Sequence, residues 1–446
     1  LTLGGSGTAV TLACGATQTG FGRTGTVDWQ TSSIKTTTFT AVNGQGFFAD
    51  TSSGAITMNL PAGTAGNIVS VVDYTNTFQN NNLTVSPNGS QKIGGVAADF
   101  VANTEGQSLT WVYVDDTEGW KNVQDSTSNA TGNPYIIATG GTESTCGNCK
   151  IHTFTGPGTF AVSCAAVCAA DNVVSYVIVA GGGGAGSFHG GGGGAGGYRE
   201  VISPSSPYSG SPLNGYPSAP NRVTVTATSY PIVVGAGGVG KKGPSAPGGP
   251  NTPTSGADSS FGGITSAGGG KGGGDTPSAN QVGTAGGSGG GGQNGTSGNP
   301  GGPAGGAGNT PSVSPAQGFA GGTAGSDDAS FRGGGGGGGA TAVGTNVTPS
   351  GPATNPVSVG NGGAGATSSI NGTPTVRAGG GGAGATCVPG TGGTGGGGSG
   401  GTNPSDSATS GTVNTGGGGG GAGNPCASTA GSGGSGIVII RYRFKV

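Results

Sequence analysis

Charged side chains are scarce in this chain. They make up 7% of its 446 residues, and the net charge is −2, whereas ordinary soluble proteins carry roughly 25% charged residues. The few Lys and Arg residues are scattered, so no basic patch supports nucleic-acid binding. No apolar run approaches the ~20 residues that a membrane-spanning helix requires. The composition therefore predicts neither a nucleic-acid partner nor membrane insertion.

Residues that carry catalysis are also rare. The chain has two histidines, His152 and His189, and neither has a credible Ser or Cys partner on a recognisable scaffold. Acidic residues are too sparse to suggest a carboxylate pair in a groove. The sequence predicts no enzyme activity, no cofactor and no metal site, and a polysaccharide depolymerase is the most distant of the functions considered.

Glycine is what the chain has in abundance: 111 residues, most of them in blocks between 181 and 436. Glycine loses more backbone freedom on folding than any other residue and has no side chain to bury. An ordinary hydrophobic core cannot form in this region. Either the region is disordered, as Gly/Ser-rich chains ordinarily are, or backbone packs directly on backbone. Typical blocks are 181–184, 190–194, 268–274 (interrupted by Lys271), 333–339 and 416–421.

An ordered bundle of polyproline II helices fits these blocks best. Collagen is excluded because glycine does not recur at every third position. A polyproline II helix has three residues per turn and no internal hydrogen bonds, so its N–H and C=O groups can bond to neighbouring helices. Similar flanks recur before the glycine runs, as in "SSFGGITSAGGG" (259–270) and "SFRGGGGGGG" (330–339). We therefore predict a polyproline II bundle over 181–446, closed by a strand at 437–444.

The part before the bundle is predicted to be mostly β, with essentially no α-helix in the whole chain. Residues 1–40 read as N-terminal attachment strands, 41–124 as an all-β module (a sandwich or small barrel), and 125–180 as a linker followed by a β lead-in. Four aromatic residues of the module are expected in its core or at a subunit interface, with a carbohydrate platform as the alternative: Phe100, Trp111, Tyr113 and Trp120. The candidate strands are 46–50, 55–60, 67–74, 82–87, 108–116 and 119–123.

Two stretches resemble proteins of tailed bacteriophages. "GFFADTSSGAITMNLPAGTAGNIVSVVDYTNTFQNNNLTVSPNGSQKIGG", followed by "GQSLTWVYVDDTEGWK", looks like a β-rich module of phage tail-fibre and related structural proteins. "KIHTFTGPGTFAV", "VSYVIVAGGGGAG" and the closing "GGSGIVIIRY" resemble the glycine-rich domain of phage tail-fibre adhesins. The second resemblance covers nearly all of 150–446. It implies a polyproline II bundle whose inter-block loops converge at a tip and bind receptors on the bacterial surface.

The seven cysteines leave several interpretations open. Cys146 and Cys149 form a C-x-x-C, and Cys164 and Cys168 a C-x₃-C. Disulfides are favoured among these four in an extracellular protein, with free thiols or one zinc site as alternatives. A further pair, Cys387 and Cys426, could join two loops, and Cys14 is left over. A phage protein assembled in the cytosol would not need any of these bonds.

Several motif matches carry little information in so glycine-rich a chain. Residues 235–241 match both G-x-G-x-x-G and the start of a P-loop, but "GPSAPGGP" after them cannot form the helix that holds phosphate. The two "GGSGG" segments, 286–290 and 397–401, match the nucleophile-elbow spacing by chance. Asp115, Asp116 and Glu118 could bind calcium, but a solvated hairpin turn is the commoner meaning.

Binding is the function that the sequence favours. Turn-rich spacers at 203–221, 296–317, 341–359 and 402–414 should lie at the ends of the bundle, and alternating helix directions would send about half of the loops to each end. Tyr208 and Tyr216 suit sugar stacking or protein contact, although packing on the side of the bundle is an equal alternative. The candidate receptor-binding residues are Tyr208, Asn214, Tyr216, Asn346, Asn355 and Asp406.

The prediction is a viral tail-fibre or tail-tip adhesin located in the virion tail. Its partners would be a bacterial surface receptor, protein or glycan, and other tail proteins, and its N-terminal part is expected to form a homotrimer. The alternative is a structural subunit of an extracellular filament or surface layer, on a bacterial or archaeal cell surface, without a specific receptor.

Overall fold

The computed structural model describes residues 27–126, 135–166, 168–241, 252–274, 281–294, 302–325, 332–347, 360–402, 407–423 and 429–445. These residues are essentially all β, with two short 3₁₀ turns and no α-helix among them. The predicted fold class is confirmed. The chain divides into two compact units, Leu1–Thr131 and Gly132–Val446.

The first unit is a sandwich of two sheets around one apolar core. The chain alternates between the two sheets, and three successive turns of the chain each contribute one strand to each sheet. The first three strands of each sheet therefore run parallel to one another. Antiparallel strands complete each sheet. A crossover between parallel strands usually requires a helix; here the strand in the opposite sheet serves as the crossover. The strands are β1 (Asp28–Trp29), β2 (Phe39–Thr40), β3 (Gln45–Ala49), β4 (Ile56–Asn59), β5 (Ile68–Asp73), β6 (Leu83–Ser86), β7 (Phe100–Ala102), β8 (Ser108–Asp115) and β9 (Gly119–Ser126).

The order of the strands is β1-β3-β5-β8-β9 in one sheet and β2-β4-β6-β7 in the other. Alternating residues of the strands point between the sheets, which is the period-2 pattern that the sequence displays. Trp111 and Trp120 are fully buried and Tyr113 nearly so. Phe100 is partly buried against them. The core interpretation of these four aromatic residues is therefore confirmed, and the carbohydrate alternative is wrong for them.

The second unit begins with strands that belong to the same unit as the glycine-rich region. The strands are β10 (Ile137–Thr139), β11 (Thr142–Cys146), β12 (Cys149–Phe154), β13 (Gly158–Cys164), β14 (Val173–Val179), β15 (Tyr198–Val201), β16 (Val223–Thr224), β17 (Ser229–Ile232), β18 (Ser259–Phe261), β19 (Ile264–Ser266), β20 (Ala366–Ser368), β21 (Thr375–Arg377) and β22 (Ile437–Arg443). The 3₁₀ turns are Ala169–Asn172 and Ala219–Asn221.

Strand β22, near the end of the chain, lies between β12 and β14 in the order β11-β12-β22-β14-β15. Strands β10, β13 and β17 form a second small sheet. Side chains from both sheets share one core that includes Phe160, Tyr176, Phe261 and Tyr442. This sheet region closes one end of the glycine-rich bundle, because β14 runs directly into 181–186 and residues 429–436 run directly into β22.

The glycine-rich segments have the hydrogen-bond pattern of packed polyproline II helices. Successive N–H groups of 181–186 donate to three different neighbouring segments in strict rotation, and every third residue returns to the same neighbour. Such a period of three matches the three residues per turn of polyproline II. The donor–acceptor pairs are Gly181 and Gly184 to Ala257 and Thr254, Gly182 and Ala185 to Gly434 and Gly431, and Gly183 and Gly186 to Gly194 and Gly191.

The carbonyl groups of 181–186 follow the same rule with three further neighbours. They accept from segments 269–272, 238–241 and 419–422, again with every third residue bonding to the same segment. Segment 181–186 is thus surrounded by six others, which leaves room for no side chain larger than the methyl group of Ala185, and this methyl packs with Ala422 and Ala430. Glycine is required here because a Cβ at positions such as Gly182 or Gly183 would overlap a neighbouring carbonyl group.

Candidate functional site at one end of the bundle

The direction of each segment follows from the hydrogen-bond register. Where partner numbers fall as residue numbers rise, the two segments are antiparallel, and the described segments alternate in direction through most of the bundle. We call the end where β14 enters the sheet end and the opposite end the loop end. Segment 181–186 runs from the sheet end to the loop end, and 190–197 returns.

Seven stretches between 181 and 436 lie outside the described residues, and the residues that flank every one of them lie at the loop end. The registers show this directly: Gly186 is level with Ala422, Asn294 donates to the carbonyl of His189, and Thr386 donates to the carbonyl of Arg332. The last described residues before the seven stretches are Lys241, Gly274, Asn294, Gly325, Val347, Thr402 and Gly423.

The sheet end has a different character. Its connections include the hairpins β18–β19 and β20–β21, the segment 309–317, and tight turns at 395–396 and 413–416. Several of these connections pack against the sheet core, as Phe261 does. The loop end is therefore the face of this unit where chain segments lie farthest from its apolar core.

The turn at 187–189 lies at the centre of the loop end. It joins segments 181–186 and 190–197, and the second of these also has six neighbours: 183–186, 267–273, 288–291, 335–338, 381–384 and 416–422. Phe188 and His189 both adopt left-handed backbone, with φ of 63° and 52°. Tight turns with two successive positive φ angles strongly prefer Asn and Gly. The backbone of Phe188 and His189 is therefore strained, and glycine at these two positions would relieve the strain.

Phe188 points outward while His189 is anchored. The Phe188 side chain is 37% exposed, and its ring contacts that of His189 at 5.5 Å between centroids. His189 is buried, and a hydrogen bond of 3.1 Å joins its Nε2 to Thr386 Oγ1. Gln293 Nε2 donates to the carbonyl of Phe188 at 3.0 Å. The turn is thus fixed from two sides, and it holds an aromatic ring at the surface.

Other described residues give the loop end a mixed surface. Val388 and Val282 are exposed apolar side chains, and Cys387 is an exposed free thiol. Asn346, one of the predicted receptor-binding residues, is exposed near this end, and its Oδ1 accepts from the Thr323 N–H at 2.8 Å. These described residues can offer van der Waals contact and amide hydrogen bonds.

The other described receptor-binding candidates lie at the sheet end. Tyr208, Asn214 and Tyr216 belong to the connection between β15 and β16. The Arg441 guanidinium lies 5.5 Å from the Tyr208 ring centre, and that of Arg222 lies 4.4 Å from the Tyr216 ring centre. Asn214 Oδ1 accepts from the N–H groups of Ile202 and Tyr216, both at 3.0 Å.

These contacts are all within the chain, and burial raises the pKa of Tyr208 well above its ordinary value. Tyr208 and Tyr216 thus pack against the rest of the unit. Packing was the alternative to receptor binding that the sequence left open for them. Asn355 and Asp406, the remaining candidates, lie outside the described residues.

The cysteines at 146, 149, 164, 168 and 387 are free thiols in this structure. Cys146 and Cys149 face each other across the turn between β11 and β12, whereas Cys168 is exposed before the first 3₁₀ turn and at the sheet end. Cys14 and Cys426 lie outside the described residues. The predicted disulfides therefore stay a prediction.

The motif matches have structural explanations. Residues 235–241 form an extended bundle segment, in which Gly238 and Lys241 donate to the carbonyls of Gly182 and Ala185. Asp115 Oδ1 accepts from the N–H groups of Thr117 and Glu118 in a hairpin turn. No group of three metal-ligating side chains occurs in the described part of the chain.

The comparisons support a glycine-rich domain. Residues 153–319 match the family model of the glycine-rich domain, and the same hydrogen-bond pattern continues beyond Phe319 to the end of the bundle. No match to the chain emerges from the curated proteins.

Within the described residues, no helix has the length and apolar character needed to cross a membrane.

Proposed function

We propose that the protein is an adhesin of a bacteriophage tail fibre or tail tip, and that it binds a receptor on the bacterial surface through the loop end of its bundle. The observation that carries this proposal is the sorting of chain connections between the two ends. One end is closed by a sheet and its core, and the other carries the turn at 187–189 on a scaffold of hydrogen-bonded segments, and recognition usually resides in loops on such a scaffold. The resemblance to tail-fibre adhesins supports the same assignment.

Phe188 is the residue that we assign as the central contact of this surface. Backbone strain tends to be kept where it serves function, and here the strain holds an aromatic ring outward. An aromatic side chain loses little conformational freedom on binding and offers a large contact area. The receptor would be a protein loop or a glycan that can cover this ring.

The first unit would connect the adhesin to other tail proteins, through a homotrimer in the N-terminal part. The two units are separate compact bodies, which is compatible with one serving attachment and the other recognition. The scarcity of charge argues against a nucleic-acid role.

The experiment compares two phenylalanines of matched exposure. Phe188 is 37% exposed at the loop end and Phe319 is 36% exposed at the sheet end. Purified wild-type protein, Phe188→Ala and Phe319→Ala are labelled and incubated with a panel of bacterial strains, and retained fluorescence is measured. We expect Phe188→Ala to reduce retention at least about tenfold, as truncation of a central aromatic contact does, and Phe319→Ala to leave it unchanged. Equal retention by both variants would contradict the role of the loop end.

A further inference from the structure

The outer face of the first unit carries three aromatic side chains in a row. The Trp29 ring contacts that of Phe48 at 5.3 Å between centroids, and Phe48 contacts Tyr74 at 6.2 Å. Trp29 is 39% exposed and Tyr74 is 54% exposed. These rings lie on the side of the sheet opposite to the core, because the strand neighbours of Phe48 point inward and are buried.

Gly46 makes room for the indole of Trp29. A Cβ at Gly46 would lie 2.6 Å from Trp29 Cε3, which is closer than real Cβ atoms approach other atoms. Trp29 and Gly46 are register partners on β1 and β3, so the indole covers the backbone of the adjacent strand. The ring is therefore held against the sheet and does not extend freely into solvent.

An open cleft of about 470 Å³ lies beside the indole, lined by Trp29, Thr31, Phe48, Val72 and Ser108. This volume is within the range of small-molecule sites. Among the described residues that line the cleft, no side chain is charged. Two of them, Thr31 and Ser108, carry hydroxyl groups that can donate and accept. The next row of the same sheet pairs Ser70 with Thr110, whose hydroxyl oxygens are 2.8 Å apart.

We propose that this cleft binds a neutral saccharide. A pyranose ring has a C–H face that packs on an aromatic face and a rim of hydroxyls that require donors and acceptors, and the cleft provides both. A nucleotide or an anionic sugar would need cations, which the described lining residues do not provide. A hydrophobic peptide would not use the hydroxyl groups. The site is independent of the loop end, so the proposal stands or falls separately from the adhesin assignment.

The test uses the fluorescence of Trp29. The chain has three tryptophans, and Trp111 and Trp120 are fully buried, so a contact at the surface is reported by Trp29. Maltohexaose, cellohexaose, chitohexaose and mannohexaose are titrated into the full chain, with calorimetry in parallel. We expect a saturable change with at least one of the four, a Kd at least about tenfold higher in Trp29→Ala, and a smaller loss in Trp29→Phe, which keeps an aromatic face.

Two further variants distinguish a stacking site from loss of folding. Gly46→Ala keeps every lining side chain but displaces the indole, so binding should weaken while circular dichroism still shows a folded chain. Val101→Ala, at an exposed position of the other sheet, should bind as the wild type does. Absence of a response to all four oligosaccharides would overturn the proposal. Shielding of Trp29 from acrylamide that grows with protein concentration, without sugar, would do so as well, because it would identify the face as an interface between copies.

Discussion

A Cβ atom on Gly193 would overlap the carbonyl oxygen of Gly183 in the adjacent segment. Gly193 also donates to the carbonyl of Gly419 and accepts from the N–H of Gly381, so its backbone is fixed on several sides. The contact partner is main chain, which cannot rotate away as a side chain can. This relationship recurs along the bundle, and it explains why glycine is required at each position whose Cβ would point into the main chain of a neighbouring segment.

Gly193→Ala should therefore destabilise the second unit strongly. Overpacking in an ordinary core costs typically about 1–3 kcal/mol, and we expect at least the upper value because backbone must move. Gly156→Ala is the matched control, since nothing lies within 4 Å of a Cβ at Gly156. Thermal unfolding followed by circular dichroism measures both. A Gly193→Ala variant as stable as Gly156→Ala would show that the segments are not packed as described.

Phe188→Gly should separate stability from attachment. Glycine adopts the left-handed conformation of residue 188 freely, and the strain of a non-glycine residue there is roughly 1–2 kcal/mol. We expect an increased free energy of unfolding together with loss of binding to bacteria. Urea unfolding and cell retention, measured on the same preparation, test the two expectations. A variant that retains full binding would remove Phe188 from the proposed surface.

Tyr208→Ala should have the opposite profile. Truncation removes the ring that packs beside Arg441 and against the core formed by β14, β15 and β22, so the unfolding free energy should fall by about 2–4 kcal/mol. Binding to cells, measured well below the unfolding temperature, should be unchanged because Tyr208 lies at the sheet end. Selective loss of binding in a stable Tyr208→Ala protein would support the receptor role that the sequence suggested.

The sequence predicted the elements of the fold better than their partners. Alternating runs such as 67–74 and 108–116 correspond closely to β5 and β8, because burial on one face leaves a period-2 pattern. The alternation within a strand does not show which strand lies beside it. The parallel pairing of β3 with β5 could therefore not be predicted from the sequence. The short strand β7 at Phe100 was missed for lack of a long apolar run.

The position of the site was less predictable. Spacer length alone does not say at which end a connection lies, and 203–221 lies at the sheet end because β15 continues the segment 190–197 into the sheet. The "SFH" turn at 187–189 did carry a signal: only three residues separate Gly186 from Gly190, which requires a tight reversal. An aromatic residue at that place was the clue to an outward-facing ring.

His152 should make the stability of the second unit depend on pH. Burial holds the pKa of His152 below its ordinary value, with the hydrogen bond to the Gly140 carbonyl opposing this effect. As the pH falls below about 6.5, the unfolded chain therefore binds a proton at His152 that the folded chain does not bind. This contribution to stability is complete above that pH and is lost below it, by at most about 1.4 kcal/mol per pH unit.

Unfolding temperatures measured between pH 7.5 and pH 5 test this expectation. His152→Gln should flatten the dependence, because glutamine cannot take up the proton. An unchanged pH dependence in His152→Gln would assign the effect to another group.

Two exposed free cysteines make it possible to test whether the loop end contacts the bacterium. Cys387 lies at the loop end and Cys168 at the sheet end. A maleimide polyethylene glycol is attached to variants that retain only one of these cysteines. Binding is then measured on the bacterial strains to which the wild-type protein binds. We expect the polymer on Cys387 to abolish binding and the polymer on Cys168 to leave it intact. Loss of binding only with the polymer on Cys168 would contradict the account.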